Sequence, residues 1–202
     1  MRSVYEDFWA DAPDDPEPWA WERRRALLLG EARPGERVLD LGCGAGRFVA
    51  ALRDAGADPV GVELAEAALE RARRNAPGAD LRLAGADGTL PLDHRSVDLV
   101  WCSEVLEHVA DTAHLLLEAR RVLRPGGRLL ATVPFHGRAK GALVALTRFD
   151  AHFDPLGQHL RFYTRGSLAH VLRHAGFDPV GVRAWGGPPL LRTGLVARAI
   201  RD

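Results

Sequence analysis

Between residues 37 and 133, short apolar runs of β-type composition alternate with longer amphipathic stretches. Arg37–Leu41, Pro59–Glu63, Leu81–Ala84, Val97–Cys102 and Arg128–Val133 read as strands. Arg47–Ala55, Ala65–Asn75 and Thr112–Leu123 read as helices, because their apolar residues recur at three- and four-residue intervals. Pro125-Gly126-Gly127 reads as the turn before the fifth strand. Strands and helices alternating in this order specify a parallel sheet with helices on both faces. From Phe135 to Leu160 the rhythm breaks into an inserted loop rich in Gly, His and Phe, with one short helix expected at Ala142–Thr147. Helical periodicity returns at Ser167–His174 and stops at Gly176; two closing strands, Asp178–Trp185 and Leu195–Ile200, flank Gly186-Gly187-Pro188-Pro189.

Composition narrows the class. At 202 residues and 47% hydrophobic content the chain suits one domain over 1–202 with one core. Lys+Arg and Asp+Glu are both 27, so no broad basic footprint for nucleic acid is present and a small-molecule partner is expected. The clusters Arg23, Arg24, Arg25 and Arg71, Arg73, Arg74 read as solvated helix faces. Cys43 and Cys102 lie in apolar segments without CxxC spacing and read as small core residues. No apolar run approaches the roughly 20 residues of a membrane span, and the N-terminus lacks a signal-peptide pattern, so a cytoplasmic location is expected. Monomer and homodimer both stay open.

The chemistry concentrates where the first strand meets a glycine turn, at Val38-Leu39-Asp40-Leu41-Gly42-Cys43-Gly44-Ala45-Gly46-Arg47-Phe48. The carboxyl end of such a strand is where doubly wound sheets bind ligands. A dinucleotide fingerprint would place glycine at position 47, where Arg47 stands. Asp40 would also repel a pyrophosphate, whereas it would attract a ligand carrying an ammonium and a sulfonium.

Asp40-x-Gly42-x-Gly44-x-Gly46 resembles the first motif of class I S-adenosylmethionine-dependent methyltransferases, and later segments resemble that family's motifs in order. These are Val60-Gly61-Val62-Glu63, Gly85-Ala86-Asp87-Gly88, the fourth-strand segment Val97–Val109 and Arg121-Val122-Leu123-Arg124-Pro125-Gly126-Gly127. The resemblance implies a Rossmann-like, doubly wound α/β fold: a mostly parallel seven-stranded sheet whose last strand is antiparallel. It implies S-adenosylmethionine as cofactor, held by Asp40, Gly42, Gly44, Gly46, Glu63, Leu64, Asp87, Gly88, Ser103 and Glu104. Glu63 would take the ribose hydroxyls, being an acceptor with two oxygens, and Asp87 the adenine amino group.

The expected reaction is methyl transfer to a small molecule, most simply at oxygen. Nitrogen or carbon acceptors, and a non-catalytic cofactor-binding regulatory module, are the alternatives. A hydroxyl acceptor must lose a proton, and four histidines follow strand ends: His108, His136, His152 and His159. His159 and His108 are the catalytic candidates. Gln158-His159-Leu160-Arg161-Phe162-Tyr163-Thr164 resembles a segment of the broad family that contains the ubiquinone and menaquinone methyltransferases, there close to the acceptor pocket. His159 and Arg161 could instead pin the loop while Thr164 caps a helix, and His108 could line the cofactor pocket. His136, His152 and His159 have no compact ligand spacing, so no metal is expected. Tyr5, Phe8, Trp9, Trp19 and Trp21 make residues 1–30 either a lid or a helix docked on the core, and residues 135–160 are the expected acceptor-side insertion. Phe149, Phe153 and Phe162 could line a pocket there or anchor the insertion.

Overall fold

The computed structural model describes residues 2–12, 17–135, 137–147 and 159–202; His136, His152, Phe149 and Phe153 lie outside them. Two helices, α1 (Arg2–Asp11) and α2 (Trp21–Glu31), precede β1 (Arg37–Leu41), α3 (Arg47–Asp54), β2 (Asp58–Glu63), α4 (Glu66–Asn75) and β3 (Asp80–Leu83). The second half comprises β4 (Val97–Ser103), α5 (Thr112–Val122), β5 (Leu123–Pro134), α6 (Arg138–Thr147), α7 (Arg165–His174), β6 (Phe177–Trp185), a 3-10 turn (Pro189–Leu191) and β7 (Gly194–Arg201).

The seven strands form one sheet in the order β3-β2-β1-β4-β5-β7-β6. Ladders are parallel from β3 through to β5, and β7 runs antiparallel to both β5 and β6. Strands β1 and β4 are buried on both faces, as helix-covered parallel strands must be, which is why both read as largely apolar runs rather than as alternating ones. On one face Leu39, Val60 and Val100 pack with Leu116 of α5 and Leu172 of α7. On the other, Val38, Leu99 and the fully buried Trp101 pack with Leu28 of α2 and Phe48 and Leu52 of α3. Each such large side chain contributes about 1.5–3 kcal/mol relative to exposure.

The start of the fifth strand differs from the expectation. Pro125-Gly126-Gly127 is part of β5 rather than a turn ahead of it: Leu123 pairs with Val97, and the register then shifts so that Leu99 meets Arg128. Chain order reverses between β1 and β4, with β2 and β3 on one side and β5 on the other. This reversal opens a crevice outside their carboxyl ends.

Candidate active site

The turn after β1 is built on backbone that side chains would obstruct. Gly42 N–H and Cys43 N–H both donate to the Val62 carbonyl, at 2.8 and 3.1 Å. Gly42 has φ +76°, and a Cβ there would stand 2.5 Å from Val105 Cγ2; one on Gly46 would stand 2.9 Å from the Ala72 Cβ. Gly42→Ala is therefore expected to destabilise the chain by about 2 kcal/mol or more. Val105→Ala in the same chain should recover the steric part, and a melting double-mutant cycle checks this.

Asp40, one residue before the end of β1, is 2% exposed, and its Oδ2 has no partner among the described residues. Burial pushes this carboxyl up to about 7; the nearby Arg24 pulls it down and Glu63 pushes it further up. Arg24 on α2 is 5% exposed, which overturns its reading as part of a solvated face. Its Nε donates to Ser103 Oγ at 2.8 Å, its two terminal nitrogens donate to the carbonyls of Trp19 and Ser103, and its guanidinium lies 5.3 Å over the Phe48 ring. Burial disfavours its charge, while Glu104, Asp40 and Glu107 restore it. Arg71 of α4 is buried too, its guanidinium donating to the carbonyls of Trp9 and Ala12.

At the end of β4, Ser103 Oγ and Thr132 Oγ1 are 2.6 Å apart, and Thr132 Oγ1 donates to Glu104 Oε1 at 2.9 Å. Glu104 has φ +56°, a conformation a non-glycine residue holds at a cost of about 1–2 kcal/mol; its N–H donates to the Thr132 carbonyl. Glu107 is 1% exposed, and neither carboxylate oxygen has a hydrogen-bond partner from another side chain among the described residues, although Oε1 lies 3.8 Å from His108 Nε2. Desolvation, and then the like charge of Glu104, push it up to about 8.

The predicted candidates His108 and His159 come together across 51 residues of chain, their rings 4.9 Å apart. One donor atom each from Glu107, His108 and His159 lies within 4.8 Å of the others. In the His159 segment, the loop-pinning and helix-capping roles fall to Arg161 and Thr164. Arg161 pins the loop after β4 by donating to Thr112 Oγ1 at 2.7 Å and to the Val109 and Ala110 carbonyls, while Thr164 and Ser167 form a capping box on α7.

Helix α1 lies over the glycine turn. The Glu6 carboxylate accepts from the N–H groups of Glu66 and Ala67, capping α4 from outside it, and Tyr5 Oη donates to the His108 carbonyl. The Trp9 ring sits 3.0 Å from where a Gly44 Cβ would be. Trp21 instead docks α2 on the core against Phe48, at 4.9 Å between centroids, and Trp19, 51% exposed, stands against Trp185.

A cavity of about 1130 Å³ joins these groups. Of the residues predicted from sequence, Asp40, Gly42, Gly44, Ser103, Glu104, His108 and His159 line it. Gly46 faces α4 instead. Glu63 lies beside the glycine turn, its oxygens accepting from Gly44, Leu64 and Ala65 N–H groups at 3.0, 2.6 and 3.2 Å. Asp87 and Gly88 stand in the turn after β3, where Asp87 Oδ1 accepts from Thr89 N–H. The sequence reading missed Arg24 and Glu107 as cavity groups, and Thr132, buried behind them, as the partner of Ser103 and Glu104. Arg24 had a signal, since it falls on the stripe Trp21, Arg24, Leu28 that faces the core.

An unpartnered buried carboxylate oxygen beside a turn without room for side chains suits a cationic ligand lying along the backbone, and the amino-acid end of S-adenosylmethionine has that chemistry. The family described as a methyltransferase domain matches residues 39–131. The chain is 46% identical over 110 residues to a 37.1 kDa protein of a Streptomyces fradiae transposon, matching 52% of this chain and about a third (32%) of that protein. It is 32% identical over 169 residues to the ubiquinone biosynthesis O-methyltransferase of Hahella chejuensis, covering 80% of this chain and 71% of that enzyme. An S-adenosylmethionine-dependent methyltransferase of Mesorhizobium loti shares the fold, with a TM-score of 0.69 over 91% of this chain and 98% of that one at 24% identity. The chain belongs to the class I S-adenosylmethionine-dependent methyltransferases, and S-adenosylmethionine is its cofactor.

Proposed function

We propose that the chain transfers the methyl group to the oxygen of a small hydroxylated molecule. The observation that carries this reading is the pair of rings, His108 and His159, lining the same cavity as Asp40 and the glycine turn. S-adenosylmethionine supplies the methyl group and a good leaving group. The residues then have to hold it, align the acceptor and remove a proton. Asp40 receives the ammonium on the oxygen that has no hydrogen-bond partner among the described residues, and Arg24, the buried cation whose charge acts on it, receives the carboxylate of the amino-acid end. Glu63 and Leu64 take the ribose, and Asp87 and Gly88 the adenine. Ser103 and Glu104, which line the cavity, would lie between cofactor and acceptor. Alignment of two bound reactants supplies about 7–11 kcal/mol in well-oriented systems, so much of the rate needs no further group.

The proton is the part that does need one. With His108 and His159 carrying it to solvent, His159→Ala is expected to lower turnover on the order of 100-fold while cofactor affinity stays unchanged. The test is S-adenosylhomocysteine formation with a panel of small phenols, alcohols and amines, with the product characterised by mass. Methyl ethers from the hydroxylated members support the reading. Products confined to the amines contradict it, and cofactor binding without turnover of any member favours a regulatory module.

A further inference from the structure

We propose that the acceptor is a two-part molecule: its reacting group meets the cofactor in the cavity already described, and a neutral aromatic group attached to it lies in a second pocket, against the indole of Trp19. The inference rests on the small-molecule acceptor reading above and holds whichever atom takes the methyl group.

The second pocket lies along the same end of the sheet as the cofactor crevice. Pro134, which ends β5, pairs with Gly194 at the start of β7, and Gly194 pairs with Trp185 at the end of β6. That row runs outward from the crevice between β1 and β4. Pro134 and Thr193 line the cofactor cavity, while Thr193 and Trp185 line a further pocket of about 430 Å³. Glu17, Trp19 and Thr193 belong to both, so the two spaces adjoin and Trp19 stands at their junction. The volume falls within the range of about 300–1,000 Å³ typical of sites for small organic molecules.

Three indoles, Trp19, Trp21 and Trp185, set the character of this pocket. Trp185 is fixed in place. A Cβ on Gly194 would stand 2.6 Å from its indole, so the ring lies close on the start of β7, and its carbonyl accepts from Thr193 N–H at 3.2 Å. Trp21 is engaged by Phe48 and by the Arg47 guanidinium, 5.8 Å over its ring. Trp19 rests against Trp185 at 5.4 Å between centroids and is still 51% exposed, so it is the indole with surface left to cover. A half-exposed indole backed by a fixed neighbour is a stacking platform that loses little freedom when a ring settles on it. The charges at the rim favour a neutral occupant. Glu17 lies 3.9 Å from Arg47 and Glu22 4.0 Å from Arg25, so each acid has a cation beside it, and Arg23 adds a further guanidinium. A charged ligand would meet both signs there.

The test is titration calorimetry of the chain saturated with S-adenosylhomocysteine, so that no turnover is needed, with phenol and 4-phenylphenol as probes. Wild type, Trp19→Ala and Trp19→Phe are compared. The Trp19 carbonyl rather than its ring accepts from Arg24, so both variants keep that bond. The wild type is expected to bind 4-phenylphenol at least about tenfold more tightly than phenol. Trp19→Ala should lose about tenfold on 4-phenylphenol and less than about twofold on phenol, with S-adenosylhomocysteine affinity unchanged. Trp19→Phe, which keeps a ring, should fall closer to the wild type. Equal losses on the two phenols, a loss shared by S-adenosylhomocysteine, or a Trp19→Ala protein that binds 4-phenylphenol as well as the wild type or better overturns the second subsite. A wild type that binds neither probe also overturns it. None of these results bears on methyl transfer itself, whereas methylation confined to amines would contradict oxygen as the acceptor atom and leave the subsite standing.

Discussion

Arg24→Ala is expected to lower S-adenosylmethionine affinity at least about 100-fold and to cost about 3–5 kcal/mol of stability, near 10 °C in melting temperature for a chain of this size. The reason is the charge it balances. Asp40, Glu104 and Glu107 all act on Arg24, and all three are themselves pushed up by burial, so removing the one buried cation they share leaves three carboxylates in a low-dielectric site. The same change removes donors to Ser103 and the Trp19 carbonyl, which tie α2 and the approach to it onto the end of β4. Arg25 provides the control. Its partner is Glu22 at 4.0 Å, with the two side chains 43% and 80% exposed, so Arg25→Ala should stay within about 0.5 kcal/mol of the wild type and bind cofactor unchanged. Thermal melts and titration calorimetry on both variants separate the two positions.

Asp40→Asn is expected to make the cofactor-free protein more stable than the wild type, increasingly so as pH rises. Asp40 has a folded-state value of about 7 against 3.8 unfolded, so between those values the folded state binds the extra proton. Stability linked to this group is fully present below about pH 4 and is lost as pH rises through 7. At about 1.4 kcal/mol per unit, the advantage of Asn over Asp should grow to as much as about 4 kcal/mol by pH 8. Glu107 titrates in an overlapping range but is common to both proteins, so it largely cancels in the comparison. Saturating S-adenosylmethionine should reverse the order, because an ammonium beside Asp40 stabilises the ionised form. The same linkage predicts that cofactor binding near pH 7 releases protons from the wild type and fewer from Asp40→Asn, read from calorimetry in buffers of different ionisation enthalpy.

The fold was legible where burial and sequence pattern coincide. Strands β1 and β4 are buried on both faces and read as apolar runs, and the reversal between them follows from the order of elements. The start of β5 was hidden because a Pro-Gly-Gly run has turn chemistry, yet Leu123 ahead of it is fully buried and pairs with Val97. Helix α6 begins at Arg138 rather than Ala142, since Arg138-Ala139-Lys140-Gly141 carries no large apolar residue to mark a period. In the site, the glycine turn and Asp40 declared themselves through local spacing. Arg24 did not, because a run of three arginines looks solvated unless each is placed on the helix stripe, where the middle one alone follows Trp21 and precedes Leu28 toward the core. The approach of His159 to His108, and of Glu6 to the start of α4, joins residues 51 and 60 positions apart, and no local pattern encodes such contacts.

The most direct measurement is calorimetric titration of the protein with S-adenosylmethionine and S-adenosylhomocysteine, with NAD as control and Asp40→Ala alongside. Micromolar binding of both sulfur ligands, no binding of NAD, and loss of affinity in Asp40→Ala are expected. Binding of NAD in their place, or unchanged affinity in a folded Asp40→Ala protein, would contradict the assignment of the glycine turn and Asp40 as the cofactor site.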